Sequence, residues 1–154
     1  MFRVLIVDDH AIMRRGLRSV LEMQTEWEVC GEADSGEAAV RAASELQPDV
    51  IIMDVSMPGI GGLEATRIIH KAHPATKIVL LTFHKSTELI RAGFSSGAMG
   101  YVLKEGAEDD LLLALRSVVQ DKTYVSPAIN PSVVSAILQV LSQQESTEVN
   151  PEKK

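Results

Sequence analysis

Three carboxylates in this chain stand directly after short apolar runs. Val4–Val7 leads into Asp8 and Asp9, and Val50–Met53 leads into Asp54. If these runs lie side by side, two of the charges about 4 Å apart repel by roughly 4 kcal/mol at an effective dielectric of 20. Such a group of acids needs a cation, a shared proton or a functional reason to exist. The residue types therefore indicate a site that holds a positive charge.

A hydroxyl and an ammonium occupy equivalent positions, because Thr82 and Lys104 also end apolar runs. Asp8 and Asp9 can hold a hard cation such as Mg²⁺, and Asp54 can act as a carboxylate nucleophile on phosphorus. Lys104 and the metal can neutralise the oxygens of a transferring phosphoryl group, and Thr82 can hydrogen-bond one of them. The combination predicts phosphoryl-transfer chemistry.

Strands and helices must alternate to position these side chains. Runs of four to seven residues, rich in aliphatic side chains, predict strands at 4–7, 27–33, 50–53, 77–82 and 100–103. Helical spacing of apolar residues predicts helices at 11–23, 36–46, 63–71, 87–96 and 109–120. This βαβ alternation predicts an α/β fold, a doubly wound five-stranded parallel sheet. Because parallel strands end at one edge, the five polar side chains should share one crevice there.

Composition limits the class of protein. The 154 residues carry a formal net charge of -6 and 45% hydrophobic residues, with a single cysteine, Cys30. This charge argues against a nucleic-acid surface on the chain, and one cysteine excludes a disulfide between two of its own residues. No apolar run approaches the length of a membrane span, and Met1–Arg3 leads straight into a strand. We expect a cytoplasmic protein with no membrane partner.

The sequence changes character after residue 122. Asn130–Pro131 is a favourable helix opening, and an apolar stripe against polar residues follows it. From 143 onward Val149 is the one apolar residue, which is typical of disorder. We expect one globular domain over 1–122, a linker with an amphipathic helix over 123–143, and a disordered tail over 144–154.

The motifs together resemble the receiver domain of two-component response regulators, over residues 3–120. The residues that carry the resemblance are Asp8-Asp9-His10, Met53-Asp54-Val55-Ser56-Met57-Pro58, Gly62-Leu63-Glu64, Leu81-Thr82 and Gly97-Ala98-Met99-Gly100-Tyr101-Val102-Leu103-Lys104. The first, third and last of these look like the NarL/FixJ (LuxR-type) branch. The resemblance implies a flavodoxin-like (CheY-like) (βα)5 fold.

The resemblance also implies a role for each site residue. Asp54 would be the phospho-acceptor, Asp9 and Asp54 would bind Mg²⁺ directly, and Asp8 would act largely through water. The backbone carbonyl of Ser56 would be a further metal ligand. Thr82 and Lys104 would contact the phosphoryl group, and Tyr101 would be an aromatic switch coupled to Thr82.

The implied partners are a histidine kinase as phosphoryl donor and a second copy of the chain, in a homodimer formed on phosphorylation. DNA would be bound only through a LuxR-type helix-turn-helix domain, which we expect to be absent from these 154 residues, so a stand-alone receiver that acts through protein contacts stays open. A second alternative is a Mg²⁺-dependent phosphatase with Asp54 as nucleophile. It lacks a general acid, because Ser56 occupies the position where one is expected. The four histidines show no metal-ligand spacing and are interpreted as rim or surface residues.

Overall fold

The computed structural model describes residues 1–129 together with residues 135, 136 and 139. Residues 1–129 form six strands and five helices. The strands are β1 (Phe2–Val7), β2 (Trp27–Ala33), β3 (Val50–Asp54), β4 (Lys77–Thr82), β5 (Gly100–Leu103) and β6 (Tyr124–Val125). The helices are α1 (Ala11–Glu22), α2 (Gly36–Leu46), α3 (Gly61–Ala72), α4 (Thr87–Ser95) and α5 (Ala107–Val118).

All strands pair in parallel, in the order β2-β1-β3-β4-β5-β6. The predicted doubly wound α/β sheet with its (βα)5 core is confirmed, and β6 extends it by one short strand. The strand order reverses at β1, which lies between β2 and β3. In open sheets of this kind the crevice beyond the C-terminal ends of the strands at that reversal holds the ligand.

Two apolar layers cover the sheet. One packs side chains of α2, α3 and α4 on one face, and the other packs α1 and α5 on the opposite face. Alternate residues of each central strand enter opposite layers, so that Leu5 and Val7 belong to one and Val4 and Ile6 to the other. Burial on both faces explains why these strands are continuous aliphatic runs in the sequence.

Two glycines lie at positions of close packing, and Gly62 packs directly against backbone atoms. A Cβ on Gly62 would lie 2.1 Å from the carbonyl oxygen of Asp54, and one on Gly93 would lie 2.5 Å from Cδ1 of Leu80. The helix predicted from Leu63 in fact begins at Gly61. The sequence shows no helical pattern in this first turn, because glycine has a low helix propensity. The close approach to the end of β3 nevertheless requires glycine at position 62.

The segment after α5 continues the sheet. Tyr124 and Val125 pair with Gly100 and Tyr101, in a stretch where the sequence predicted only a linker. The Ser126 hydroxyl accepts a hydrogen bond from the Leu103 amide at 2.9 Å, and Ile129 is buried in the layer that contains Tyr101. Residues 123–129 therefore pack on the domain.

Most of the predicted amphipathic helix and all of the predicted tail, 144–154, lie outside the described residues. Ser135, Ala136 and Gln139 are helical and exposed. Across the part of the chain that the structure describes, helices are all too short or too polar to cross a membrane.

Candidate functional site

The predicted site residues meet at the C-terminal edge of the sheet. Asp8 and Asp9 follow β1, Asp54 and Thr82 end β3 and β4, and Lys104 follows β5. The register aligns these ends, because Val7 pairs with Met53, Asp54 with Leu81, and Thr82 with Leu103. Parallel pairing alone thus brings together side chains that are up to 96 residues apart in sequence, the separation between positions 8 and 104.

Lys104 joins two buried carboxylates. Its Nζ lies 3.2 Å from Oδ2 of Asp8 and 3.1 Å from Oδ1 of Asp54. Both acids are essentially inaccessible to solvent, and the lysine side chain is 5% exposed. One ammonium serves two buried acids, so the group retains an excess of negative charge whenever both carboxylates are ionised.

This shared pairing affects the acidity of Asp54. Burial, with the nearby charge of Asp8, raises the pKa of Asp54 from 3.8 to about 6, against the opposing effects of Lys104 and the Ser56 amide. The Ser56 amide donates to Oδ1 of Asp54 at 3.3 Å, which holds the start of the loop after β3 beside the carboxylate. A bound cation would favour the ionised carboxylate and lower this pKa.

Several carboxylate oxygens lack a hydrogen-bond partner among the described residues. They are Oδ2 of Asp8, Oδ1 of Asp9 and Oδ2 of Asp54. Oδ2 of Asp8 lies 3.2 Å from Nζ of Lys104, and Oδ1 of Asp9 lies 3.1 Å from Nδ1 of His10, each without a directed hydrogen bond. Oδ2 of Asp54 has neither kind of partner among the described residues. Buried polar atoms left unpaired cost free energy, so these oxygens favour a ligand that carries positive charge.

The donor set suits a hard divalent cation. Asp8, Asp9, His10 and Asp54 each offer one ligand atom, and these atoms all lie within 4.8 Å of one another. Carboxylate oxygens are the ligands that Mg²⁺ prefers, with water completing its shell. The residues present therefore fit Mg²⁺.

Thr82 and Tyr101 are connected through the backbone of His84. The Thr82 Oγ1 accepts from the His84 amide at 3.1 Å, and the Tyr101 hydroxyl donates to the His84 carbonyl at 2.9 Å. Tyr101 is 1% exposed, and burial raises its pKa to about 12. The loop between β4 and α4 thus joins the two side chains that the sequence analysis paired as a switch.

Two neighbours were not predicted as part of the site: His10, which was interpreted as a rim or surface histidine, and Phe83. Nδ1 of His10 lies 3.1 Å from Oδ1 of Asp9 and 3.2 Å from Oδ1 of Asp8, so His10 belongs to the carboxylate cluster. The Phe83 ring lies with its centroid 5.2 Å from Nζ of Lys104, although Phe83 is 64% exposed. In the sequence, the signal that could have placed His10 and Phe83 at the site is that they directly follow Asp9 and Thr82.

Comparison with known protein families gives one match over most of the chain. The family model described as the response regulator receiver domain matches residues 4–116. The match spans β1 to the last turn of α5 and includes every residue named above as a candidate for chemistry.

Individual relatives agree with the family match. The chain is 39% identical to the response regulator GacA of Pseudomonas viridiflava over 154 aligned residues, covering 94% of this chain and 72% of that protein. It is 34% identical to the transcriptional regulatory protein DegU of Brevibacillus brevis, covering 96% of this chain and 63% of that protein.

A solved structure is similar throughout the described fold. The crystal structure of a LuxR-family two-component response regulator from Aurantimonas sp. SI85-9A1 superposes with a TM-score of 0.83 at 33% identity. The superposition covers 90% of this chain and 99% of that one.

Proposed function

Since the chain belongs to the response regulator receiver domain family, we propose that it accepts a phosphoryl group on Asp54 from a histidine kinase. A carboxylate oxygen of Asp54 attacks phosphorus, the bond from phosphorus to the kinase histidine nitrogen breaks, and the imidazole leaves with a proton. The observation that carries this proposal is the contact of Nζ of Lys104 with both Asp54 and Asp8, at 3.1 and 3.2 Å. That ammonium stands where the oxygens of a phosphoryl group on Asp54 would need a counter-charge.

The other site residues take roles that follow from their places. Asp9 and Asp54 would hold Mg²⁺ directly, Asp8 would act largely through water, and the Ser56 carbonyl would complete the protein ligands. Bound Mg²⁺ supplies charge neutralisation for the phosphoryl oxygens. The Oδ2 atom of Asp54, which has no partner among the described residues, supports this assignment.

Thr82 and Tyr101 would transmit the phosphorylated state. The Thr82 hydroxyl would turn to a phosphoryl oxygen and release the His84 amide that it now accepts from. The Tyr101 hydroxyl, which is bonded to the carbonyl of the same residue, would then change its packing. Phosphorylation would shift the population toward an arrangement that already exists.

The output of the whole protein is proposed by analogy with the relatives. The chain spans 72% of GacA and 63% of DegU, whose name describes a transcriptional regulator. In such a protein, phosphorylation would promote a homodimer and alter DNA binding by a separate domain. The division into 1–122, 123–143 and 144–154 stays a prediction, with residues 123–129 packed on the first of these segments. A cytoplasmic location belongs to the same proposal.

The absence of turnover is also part of the proposal. A phosphatase that used Asp54 would need an acid to protonate the leaving group, and Ser56, two residues later, cannot supply a proton near neutral pH. We therefore expect storage of one phosphoryl group rather than repeated hydrolysis of phosphate esters.

Intact-mass measurement after incubation with acetyl phosphate and Mg²⁺ tests the proposal. We expect one added phosphoryl group on the wild type and none on Asp54→Asn or after chelation of Mg²⁺. Asp34→Asn, which removes an exposed carboxylate that follows β2, is the matched control and should be phosphorylated normally. A wild type without adduct, or sustained release of phosphate from monoesters, would refute it.

A further inference from the structure

Arg14 connects helix α1 to the end of strand β1. Its Nη1 donates a hydrogen bond to the backbone carbonyl of Asp8 at 2.6 Å, and its own amide donates to the His10 carbonyl at 3.1 Å. The Arg14 side chain is 19% exposed, so this contact is largely protected from water. The guanidinium therefore bonds to the backbone of the first acidic residue of the site.

The Asp8 carbonyl lies where the sheet pairing stops. Val7 and Ala33 are the last paired residues of β1 and β2. The Asp8 amide still donates to the Ala33 carbonyl at 3.1 Å, whereas the Asp8 carbonyl accepts from the Arg14 guanidinium. Buried backbone carbonyls need such a donor. Arg14 thus takes the place of a further strand residue and fixes the backbone where the chain leaves the sheet.

The carboxylates of the site depend on this stretch of backbone. Oδ1 of Asp8 accepts from the His10 amide at 2.9 Å, and Oδ2 lies 3.2 Å from Nζ of Lys104. A shift of the Asp8 backbone would change both contacts, and it would also displace Asp9, the next residue in the chain. The position of both carboxylates is therefore coupled to the contact made by Arg14.

Glu32 holds Arg14 and balances its charge. Oε1 of Glu32 accepts from Nε of Arg14 at 3.0 Å, and Oε2 accepts from Nε of Arg18 at 2.8 Å. Arg18 also pairs with Glu22 at 3.1 Å, so the formal charges of two guanidinium groups and two carboxylates cancel. Arg14 can therefore bond to Asp8 without adding net positive charge beside a cation site.

We propose that Arg14 is a positioning residue for the Mg²⁺ ligands, which fixes the carboxylates of Asp8 and Asp9 by holding the Asp8 carbonyl. Glu32 in turn fixes Arg14. Groups that hydrogen-bond to metal ligands from outside contribute about 10- to 100-fold to metal affinity or activity. The inference rests on the proposed function, because Mg²⁺ at these carboxylates serves phosphoryl transfer to Asp54.

Calorimetric titration of the metal-free protein with MgCl₂, in the absence of a phosphoryl donor, tests the inference. Arg14→Met should weaken Mg²⁺ binding by about tenfold. The sign is informative, because removing a positive charge near a cation site strengthens binding if charge alone matters. Arg15→Met removes the same charge from an exposed position of α1 and should change Mg²⁺ binding by less than about twofold. Tighter or unchanged Mg²⁺ binding in Arg14→Met would overturn the inference.

Phosphorylation by acetyl phosphate separates positioning of the metal ligands from a direct role in the reaction. In Arg14→Met, the Mg²⁺ concentration that gives half the maximal rate should rise by about tenfold, and the rate at saturating Mg²⁺ should stay within about threefold of the wild type. A loss confined to the rate at saturating Mg²⁺ would contradict the inference, because Arg14 would then act on the chemical step.

A double variant tests the role of Glu32. Glu32→Ala should weaken Mg²⁺ binding, because it releases Arg14 and leaves its charge unbalanced. Arg14→Met combined with Glu32→Ala should bind Mg²⁺ no more weakly than Arg14→Met alone, since both changes break one connection. Additive losses in the double variant would argue against the role assigned to Glu32.

The outcomes separate this inference from the proposed function. If acetyl phosphate adds no phosphoryl group to the wild type while Arg14→Met still weakens Mg²⁺ binding, the proposed function fails and the role of Arg14 is supported. If the wild type is phosphorylated on Asp54 and Arg14→Met binds Mg²⁺ as the wild type does, only the inference fails. A wild type that binds no Mg²⁺ would refute both.

Discussion

At the scale of the residue, the site has more negative than positive charge, because a single lysine pairs with two buried carboxylates. Asp8 and Asp54 are buried and share Nζ of Lys104. Two buried acids with one base are costly unless a further cation arrives. The charge imbalance therefore explains why this edge of the sheet should bind a metal before it receives a phosphoryl group.

The raised pKa of Asp54 predicts a pH-dependent stability. Its value of about 6 lies above the ordinary 3.8, so the folded protein binds more protons than the unfolded chain between these pH values. The free energy of unfolding of the metal-free wild type should therefore fall as the pH rises from about 4 to about 6. Asp54→Asn cannot ionise and should be more stable than the wild type above pH 7, by on the order of 2 kcal/mol.

Denaturant unfolding in a chelator across this pH range checks the sign. The difference between Asp54→Asn and the wild type should shrink toward pH 4 and vanish below it, because Asp54 is protonated in both states only below the ordinary pKa of 3.8. Saturating Mg²⁺ at pH 7.5 should stabilise the wild type more than Asp54→Asn. A difference that is independent of pH would contradict the account of Asp54.

Removing Lys104 should leave two buried acids without a counter-charge. Lys104→Met is expected to cost about 3–5 kcal/mol of unfolding free energy in metal-free buffer. Mg²⁺ should restore part of that loss, because the cation neutralises the same carboxylates. Lys85→Met, at an exposed loop position, is the control and should change stability by less than about 0.5 kcal/mol. Equal effects of Mg²⁺ on both variants would count against a shared site.

The sequence predicted which residues form the site, but not all of the contacts between their side chains. Asp8, Asp9, Asp54, Thr82 and Lys104 could be placed at one edge because each ends an apolar run of a parallel sheet. The contact of His10 with the carboxylates could not be predicted, because the direction of its side chain at the helix N-cap depends on its contacts with Asp8 and Asp9. The backbone of His84 as the connection between Thr82 and Tyr101 likewise depends on the path of a loop.

At the scale of the element, the turn from β3 into α3 sets the position of Asp54. Gly62 brings the first turn of α3 so close to the end of β3 that a Cβ would lie 2.1 Å from the Asp54 carbonyl oxygen and 2.8 Å from Cα of Val55. Both atoms are backbone and cannot move away without displacing the strand end. The packing of α3 and the geometry of the acceptor carboxylate are therefore coupled.

Gly62→Ala should consequently be destabilising. We expect a loss of about 3 kcal/mol or more in denaturant unfolding, because overpacking here displaces backbone rather than a side chain. Gly16→Ala is the matched control, since a Cβ at this position of α1 meets no atom of the described residues within 4 Å. That variant should gain up to about 1 kcal/mol from helix propensity. Similar stabilities for the two variants would be inconsistent with the described packing.

A buried hydroxyl contributes to the docking of the short strand β6, beside its backbone pairing with β5. Ser126 is 1% exposed, and its Oγ accepts from the Leu103 amide at the end of β5. Ser126→Ala should cost about 1–3 kcal/mol, because it leaves that amide unpaired in a buried position. Ser117→Ala removes an exposed hydroxyl bonded within its own helix and should change stability by less than about 0.5 kcal/mol. Thermal unfolding of both variants measures this difference in stability. Equal stabilities would argue against docking of residues 123–129 on the domain.

The elements also show what periodicity can and cannot predict. The strands at 27–33, 77–82 and 100–103 were predicted with their observed bounds. Burial on both faces explains the apolar runs at 77–82 and 100–103, whereas 27–33 is a partly exposed edge strand. The start of α3 was missed because glycines obscure a helical pattern, and β6 was missed because two residues carry no period. Tertiary contact, rather than local propensity, determines both features.

At the scale of the whole molecule, the fold places its reactive side chains at one edge of the sheet. We propose that phosphorylation acts on other molecules by changing the oligomeric state of the chain. The oligomeric state can be measured directly. Light scattering on a sizing column should report a monomer for the unmodified protein and a dimer after addition of Mg²⁺ and beryllofluoride, a phosphoryl analogue. Asp54→Asn should remain monomeric under both conditions. Identical profiles of the wild type with and without the analogue would count against phosphorylation-dependent dimerisation.

The central claim is that Asp54, rather than Asp8 or Asp9, receives the phosphoryl group, and chemical mapping tests it most directly. Borohydride reduces an aspartyl phosphate to homoserine, so the reduced residue can be located by peptide sequencing in a mass spectrometer. After treatment with acetyl phosphate and Mg²⁺, we expect homoserine at position 54 and unchanged aspartate at positions 8 and 9. Homoserine at position 8 or 9, or at no position, would contradict the account.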